Sequence, residues 1–273
     1  MKNILIFNDI SGIGNCSMSA NLPVFTKLGH YCMPIVTGCY SCQTGFANFM
    51  SMPNPNAVEF ARRICANKMP DAFYVGFSND ICTLKGAAEV VRDVLAEGTY
   101  LFVDPIMGDN GKLYPVFDGG YVRVMKSLVS QADCISPNLT EACLLCDVDY
   151  CELTRHKDED GYLNLCRETF SSLLSKTGAK TAVITGISQT EKISNLIFDG
   201  EGVSVVTTQR VDVDFSGTGD VFSSVLLGKL LNGASLAQAC KTAADFVSKA
   251  AALTERTDRR FGVDFCKTLD LLK

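Results

Sequence analysis

A chain of 273 residues, 47% hydrophobic and 20% charged, can bury a sizeable core and is too apolar to stay disordered. Its 25 basic and 30 acidic side chains leave a formal charge of −5, so nucleic acid gains nothing from the overall field. The opening apolar run turns polar at Asn8-Asp9, too short for a signal peptide or for a membrane span of about 20 residues, which predicts a cytoplasmic chain with no membrane partner.

Short apolar runs alternate with amphipathic stretches, the pattern of βα units winding a mostly parallel sheet, so an α/β class is expected. A strand at 4–7 leads into Asn8-Asp9-Ile10-Ser11-Gly12, and a helix at 17–28 stops at Gly29. A strand at 31–36 runs into Thr37-Gly38, and one at 72–75 into Gly76-Phe77-Ser78, before a helix at 84–96 closed by Gly98. The strand at 100–103 delivers Asp104-Pro105-Ile106-Met107-Gly108-Asp109, ahead of a helix at 120–130. A strand at 134–136 gives Pro137-Asn138-Leu139-Thr140-Glu141 and a helix at 139–145. His156 sits in a charged stretch that reads as a solvated loop, followed by a helix at 162–176 closed by Gly178. Strands at 181–185, 195–198 and 203–207 precede helices at 218–231, closed by Gly233, and at 236–253. Pro and Gly are dispersed, with no linker-like run and no repeat, so residues 1–273 are expected to form one domain.

Ligands of a parallel sheet gather outside the carboxyl ends of its strands. The residues just after the predicted strands are acids, amides, hydroxyls and glycines, with almost no bases. The sharpest segment is Asp212-Val213-Asp214-Phe215-Ser216-Gly217-Thr218-Gly219-Asp220, ahead of an apolar helix. Two glycines let the backbone bring the N–H groups from Gly217 to Asp220 to a helix N-terminus, where unpaired donors favour an anion. Asp220 would repel a resting anion but suits a general base for a hydroxyl attacking phosphorus. The plainer reading is a helix cap with an acid placed for the dipole. Asp104 and Glu141 fall at neighbouring strand ends, where a nucleotide-bound Mg²⁺ takes one or two carboxylates; a turn at Asp104-Pro105 and a cap at Asn138 are the plainer alternatives. Neither GxxxxGK[ST] nor a complete GxGxxG is present, since Ser11-Gly12-Ile13-Gly14-Asn15 lacks the third glycine.

Thirteen cysteines, an odd and high count, suit a reduced interior in which Cys acts as a small buried hydrophobe. The CxxC pairs Cys39/Cys42 and Cys143/Cys146 would offer four zinc thiolates, although Leu144-Leu145 reads as buried helix. Only two histidines occur, which argues against His-based metal sites and most His-based triads.

Gly217-Thr218-Gly219-Asp220, with Asp104-Pro105-Ile106-Met107-Gly108-Asp109 and Ser136-Pro137-Asn138-Leu139-Thr140-Glu141, resembles the ribokinase-like vitamin kinases, and among them most closely the pyridoxal (pyridoxine, pyridoxamine) kinases. The resemblance runs in order from about residue 3 to about residue 255, and includes Tyr40-Ser41-Cys42-Gln43-Thr44-Gly45-Phe46 and Gly111-Lys112-Leu113-Tyr114. It implies a three-layer α/β/α sandwich and ATP-dependent phosphorylation of the 5′-hydroxymethyl group of a B6 vitamer, in a homodimer. It implies Asp220 as the base and Gly217, Thr218 and Gly219 as an anion hole. Asp104 and Glu141 would organise Mg²⁺, with Ser136 and Thr185 near phosphates or a monovalent cation such as K⁺. Asn138, Asp109 and Tyr114 would lie on the triphosphate, and Val206-Thr207-Thr208-Gln209-Arg210-Val211 would border the adenine. Asp9, Tyr40, Thr44 and Phe77 fall where the pyridine ring is held.

Two departures bear on the substrate. Best-known pyridoxal kinases carry Ser where this chain has Asp9, and Asn-His where it has Cys42-Gln43. Asp9-Ile10-Ser11-Gly12 is instead similar to the opening of hydroxymethylpyrimidine kinases, so that activity stands as the alternative; a non-catalytic B6-binding protein is a second, for which Asp220 or the glycines should have been lost. An ionised Asp9 prefers a ring N–H or a protonated pyridine nitrogen, whereas Ser donates or accepts. Cys42 falls on a segment expected to face the substrate.

Overall fold

The computed structural model describes residues 1–211, 215–255 and 258–272; Asp212, Val213 and Asp214, which open the glycine motif, lie outside the described residues. The elements in order are β1 (Asn3–Ser11), α1 (Ser17–Lys27), β2 (Tyr31–Tyr40), β3 (Ser51–Pro53), α2 (Ala57–Asn67), β4 (Ala72–Val75), α3 (Ile81–Asp93) and β5 (Tyr100–Val103). A small ribbon of β6 (Gly108–Asp109) and β7 (Lys112–Leu113) precedes α4 (Gly119–Val129), β8 (Cys134–Ile135), α5 (Leu139–Cys146), α6 (Tyr150–Thr154), α7 (Tyr162–Thr169) and α8 (Leu173–Thr177). Then come β9 (Thr181–Ser188), β10 (Lys192–Phe198), β11 (Val203–Gln209), α9 (Thr218–Leu231) and α10 (Leu236–Leu253), with 3-10 turns at Arg259–Phe261 and Phe265–Leu271.

Nine strands form one sheet in the order β11-β10-β9-β8-β5-β4-β1-β2-β3. Neighbours from β9 across to β2 run parallel, while β3, β10 and β11 add antiparallel edges. The carboxyl ends of six strands therefore line one edge. Central strands such as β4, Ala-Phe-Tyr-Val, are buried throughout because helices cover both faces. On one face Leu5, Phe7, Phe73 and Val103 pack against α2 to α8; on the other Ile4, Ile6, Tyr74 and Phe102 pack against α1, α9 and α10. This is the expected three-layer α/β/α sandwich around a mostly parallel sheet.

Several boundaries need correction. The helix expected at 162–176 is two helices, α7 and α8; at the break the Ser171 hydroxyl donates to the Glu168 carbonyl at 2.7 Å and competes with a continuous helix. The helix expected from 84 starts at Ile81, because the Asp80 carboxylate accepts from the Thr83 N–H at 2.6 Å. The strand expected at 134–136 ends at Ile135, and the Ser136 hydroxyl turns to Ser223, 2.9 Å away. The helix α2 was not expected; only the small residues Ala57, Ala61 and Cys65 are buried along it, so its apolar period is faint. β1 outlasts its apolar run, with a register shift that sets both Thr37 and Gly38 of β2 against Asp9. Such a bulge re-aims side chains at a sheet end.

All thirteen cysteines are free, and eight are buried. Cys143 and Cys146 belong to the core, Cys39 is exposed on β2, and among the described residues no group of three or more His, Cys, Asp or Glu is placed to hold a metal ion. No helix among the described residues is long and apolar enough to cross a membrane.

Candidate active site

The helix α9 begins at the carboxyl edge of the sheet. Its N-cap is Gly217, in the left-handed region at φ 76°, and no side chain caps it, whereas α3, α4, α5 and α10 are capped by Asp80, Asp118, Asn138 and Ser235. Side-chain caps satisfy first-turn N–H groups, so an uncapped start leaves donors and the positive end of the dipole for an anion. A Cβ built on Gly219 would meet nothing within 4 Å, so the space in front of that turn is open.

Asp220, in the first turn, is 8% exposed. Burial raises its pKa; the Ser17 main-chain N–H and the Asn8 amide oppose the rise. Asn8 Nδ2 donates to Asp220 Oδ1 at 3.4 Å and to Asn21 Oδ1 at 2.8 Å. Ser17 holds φ 51°, unusual for a residue with a side chain. Asp220 also raises the pKa of Asp9 and of Asp104, each after burial as the main cause, and each is pushed up to about 7. Three acids thus converge on the end of β1, the end of β5 and the start of α9.

Asp104 follows β5 and Glu141 lies in α5, which follows the neighbouring strand β8. The Tyr74 hydroxyl donates to Asp104 Oδ2 at 3.2 Å, and Ser223 and Ser136 also bond its carboxyl. Glu141 is 3% exposed and accepts from the N–H groups of Met107 and Asn138 at 3.0 and 2.8 Å. Burial and then the Asp104 charge hold its pKa well above the usual carboxylate range. Two mutually repelling hard-oxygen groups fit a divalent cation completed by water and phosphate oxygens.

Asn138 caps α5 in a reciprocal box with Glu141, and its amide donates to the Gly108 carbonyl at 2.8 Å, so its side chain joins α5 to the β6–β7 ribbon. Asp109 is exposed on that ribbon and accepts from the Asn110 N–H at 2.8 Å. Tyr114 lies just past the ribbon; burial and the charges of Glu141 and Asp109 raise its pKa. Thr185 bridges to Asn138 in parallel and donates its N–H to Pro137 at 2.8 Å. These contacts set Asn138, Thr185 and the β6–β7 ribbon side by side at the carboxyl edge of the sheet. Beyond it, Thr207, Thr208 and Gln209 border a groove of about 560 Å³ against α10.

At the other end of the edge, Tyr40 and Phe77 meet edge to face at 6.0 Å, and Phe77 continues to Phe117 and Tyr121. Burial, then Asp9, raises the Tyr40 pKa. Asp9 is 3% exposed; its Oδ2 accepts from Ser11 at 3.2 Å while its Oδ1 is buried with no hydrogen-bond partner. Thr44 and the buried Cys42 lie in the segment before β3, where Gln43 Oε1 accepts from the Gly45 N–H at 2.7 Å.

Asn8, Ser17, Asn21, Ser223 and Ser224 belong to this site but were not singled out from the sequence. Their signal is polarity in apolar surroundings. Asn21 lies among Met18, Ala20, Val24 and Phe25 on the buried side of α1, and the two serines interrupt the apolar run of α9.

A mostly parallel sheet with helices on both faces, and carboxylates around a glycine-opened helix at its carboxyl edge, defines the ribokinase-like small-molecule kinases. The sequence model of the phosphomethylpyrimidine kinase family matches residues 12–263, and the chain belongs to that family. It is 26% identical over 257 residues to the hydroxymethylpyrimidine/phosphomethylpyrimidine kinase of Bacillus subtilis (strain 168), covering 91% of this chain and 88% of that one. Among solved structures it is similar to a Bacteroides thetaiotaomicron protein, provisionally assigned as a phosphomethylpyrimidine kinase and crystallised with pyridoxal, with TM-score 0.89, 28% identity and 99% and 95% of the two chains covered. It is also similar to the pyridoxal kinase of Lactobacillus plantarum, with TM-score 0.83, 28% identity and 100% and 96% covered. The relatives thus divide between B6 kinases and hydroxymethylpyrimidine kinases, and the chain is a kinase of this ATP-dependent class.

Proposed function

We propose that the chain, acting as one cytoplasmic kinase domain and as a homodimer, transfers the γ-phosphoryl group of ATP to the 5′-hydroxymethyl group of pyridoxal, pyridoxine or pyridoxamine, a B6 salvage step. The observation that carries the phosphoryl-transfer part is the buried Asp220 carboxylate in the first turn of a helix whose start no side chain caps. Asp220 takes the hydroxymethyl proton, the freed oxygen attacks the γ-phosphorus, and ADP leaves. The N–H groups of Gly217, Thr218 and Gly219 offset charge on the moving phosphoryl group. Asp104 and Glu141 would hold Mg²⁺, which when bound neutralises phosphate charge. Ser136 and Thr185 serve a phosphate or a monovalent cation, and Asn138, Asp109 and Tyr114 border the triphosphate.

The unpartnered Asp9 Oδ1 supports a ring that brings an N–H. Tyr40 and Phe77 supply aromatic walls for that ring, and Thr44 a hydroxyl. The pyridoxal bound by the Bacteroides relative favours a B6 vitamer. The Bacillus relative and the Asp9-Ile10-Ser11-Gly12 opening favour hydroxymethylpyrimidine as the second reading. Purified protein with ATP and Mg²⁺ should convert at least one vitamer to its 5′-phosphate with a higher kcat/KM than hydroxymethylpyrimidine in the same assay. No turnover of any vitamer, or the reverse order, overturns the B6 reading.

A further inference from the structure

We propose that Asn8 is a positioning residue of the base, holding the Asp220 carboxylate against the end of β1 by its amide, beside the bond from the Ser17 main-chain N–H. This rests on the reading of Asp220 as the base. Asn8 is fully buried and its amide orientation is fixed on both sides. Oδ1 accepts from the N–H groups of Asp9 and Phe77 at 3.0 and 2.8 Å, so the other end must be the NH₂ group. That group has two hydrogens and faces two acceptors, Asn21 Oδ1 and Asp220 Oδ1. Asn21 Nδ2 then donates to the Ser224 hydroxyl at 2.8 Å, and Ser224 donates to the Asp220 carbonyl at 2.7 Å. The circuit binds both the carboxylate and the main chain of Asp220 to β1 and α1.

Gly76 makes room for it. A Cβ there would lie 2.6 Å from Asn8 Cγ, so the end of β4 approaches the amide as no other residue type allows. Asn8 therefore ties together the ends of β1 and β4, the first turns of α1, and the base. The phosphoryl acceptor must reach a carboxylate held to within about 0.5 Å, and a buried amide whose four hydrogen-bonding positions all face partners contributes to that constraint.

Asn8→Asp separates this role from a merely structural one. The new carboxyl keeps an acceptor for the Asp9 and Phe77 N–H groups but has at most one O–H, so it cannot donate to both Asn21 and Asp220. Single-turnover rates, with enzyme in excess, should fall about 30-fold or more, with ATP affinity by calorimetry unchanged within about threefold. In an Asp220→Asn background the same substitution should change the residual rate by less than about threefold, because residues acting as a unit are non-additive. An equal factor in both backgrounds, or no loss in the native background, overturns the proposal for Asn8 and leaves the base reading standing. A harmless Asp220→Asn overturns the base reading itself, and this proposal with it. Should Asn8→Asp lose the native circular dichroism spectrum, Asn21→Ala replaces it in the same cycle, with a loss of about fivefold expected in the native background and none beside Asp220→Asn.

Discussion

Gly217 and Asn15 touch without space for a side chain: a Cβ on Gly217 would lie 2.0 Å from the Asn15 carbonyl oxygen. The start of α9 is thereby seated on the loop that follows β1, and the Asn15 N–H is in turn bound by Phe261 of the C-terminal 3-10 turn at 2.9 Å. Gly217→Ala combines a main-chain collision with a strained positive φ and should destabilise the protein by roughly 3 kcal/mol or more. Gly219→Ala meets no neighbour and should leave stability unchanged or raised by up to about 1 kcal/mol, while lowering kcat because a methyl enters the open space proposed for the anion. Urea unfolding and steady-state kinetics on both variants check the contrast; equal instability of the two would contradict it.

Asp220→Asn keeps the shape of the side chain and removes the carboxylate proposed as the base. The expected result is a fall in kcat of about 10³-fold or more, with ATP affinity within a few-fold of native, since the proton is removed in the transition state. Calorimetric titration with a non-hydrolysable ATP analogue, beside a rate assay, separates the two effects.

The pKa of Asp9 in the folded chain is raised from 3.8 to about 7, first by burial and then by the charge of Asp220. The folded chain therefore holds a proton that the unfolded chain has lost, and the associated stability, complete below about pH 4, disappears as pH rises through 7. At 1.36 kcal/mol per unit the upper limit for one such group is about 4 kcal/mol. The ligand-free protein should unfold at higher urea at pH 5.5 than at pH 8. Asp9→Asn should reduce that difference by the share of Asp9, leaving the share of Asp104, and stabilise the protein at pH 8 by roughly 1–3 kcal/mol while weakening vitamer binding. A native protein more stable at pH 8 than at 5.5 would contradict the assignment.

Chelating divalent cations should abolish turnover, and adding Mg²⁺ should restore it. Asp104→Asn should raise the Mg²⁺ concentration needed for half-maximal rate by about tenfold, because the proposed site would lose one of its two charged oxygen donors. An unchanged Mg²⁺ dependence would remove Asp104 from the metal's surroundings.

Much of this was legible along the chain. Apolar runs bounded by glycine marked the central strands and the long helices, because burial on both faces of a parallel sheet leaves no polar alternation to confuse them. α2 leaves a faint pattern because its buried stripe is only Ala57, Ala61 and Cys65, and α7 and α8 read as one helix because neither glycine nor proline stands at the break, where the Ser171 hydroxyl bonds the Glu168 carbonyl. Among the acids, Asp104, Glu141 and Asp220 stood out by their place after strands and beside glycines.

The α/β class, the kinase family resemblance and the acids after the strands are written in the chain itself, since these depend on local pattern and on the order of motifs. The effect of Asp220 on the other two acids arises only in the packed protein. Asp9, Asp104 and Asp220 are separated by more than 90 residues at each step, yet burial and then the Asp220 charge raise the pKa of both Asp9 and Asp104, because the order of strands in the sheet brings the three to one edge. The tertiary structure also decided the role of Asn8, which in the sequence is one polar residue after four apolar ones. Its meaning comes from contacts with Asn21, Phe77 and Asp220, and hydrogen-bond satisfaction in a buried place is a property of the packed whole rather than of any segment.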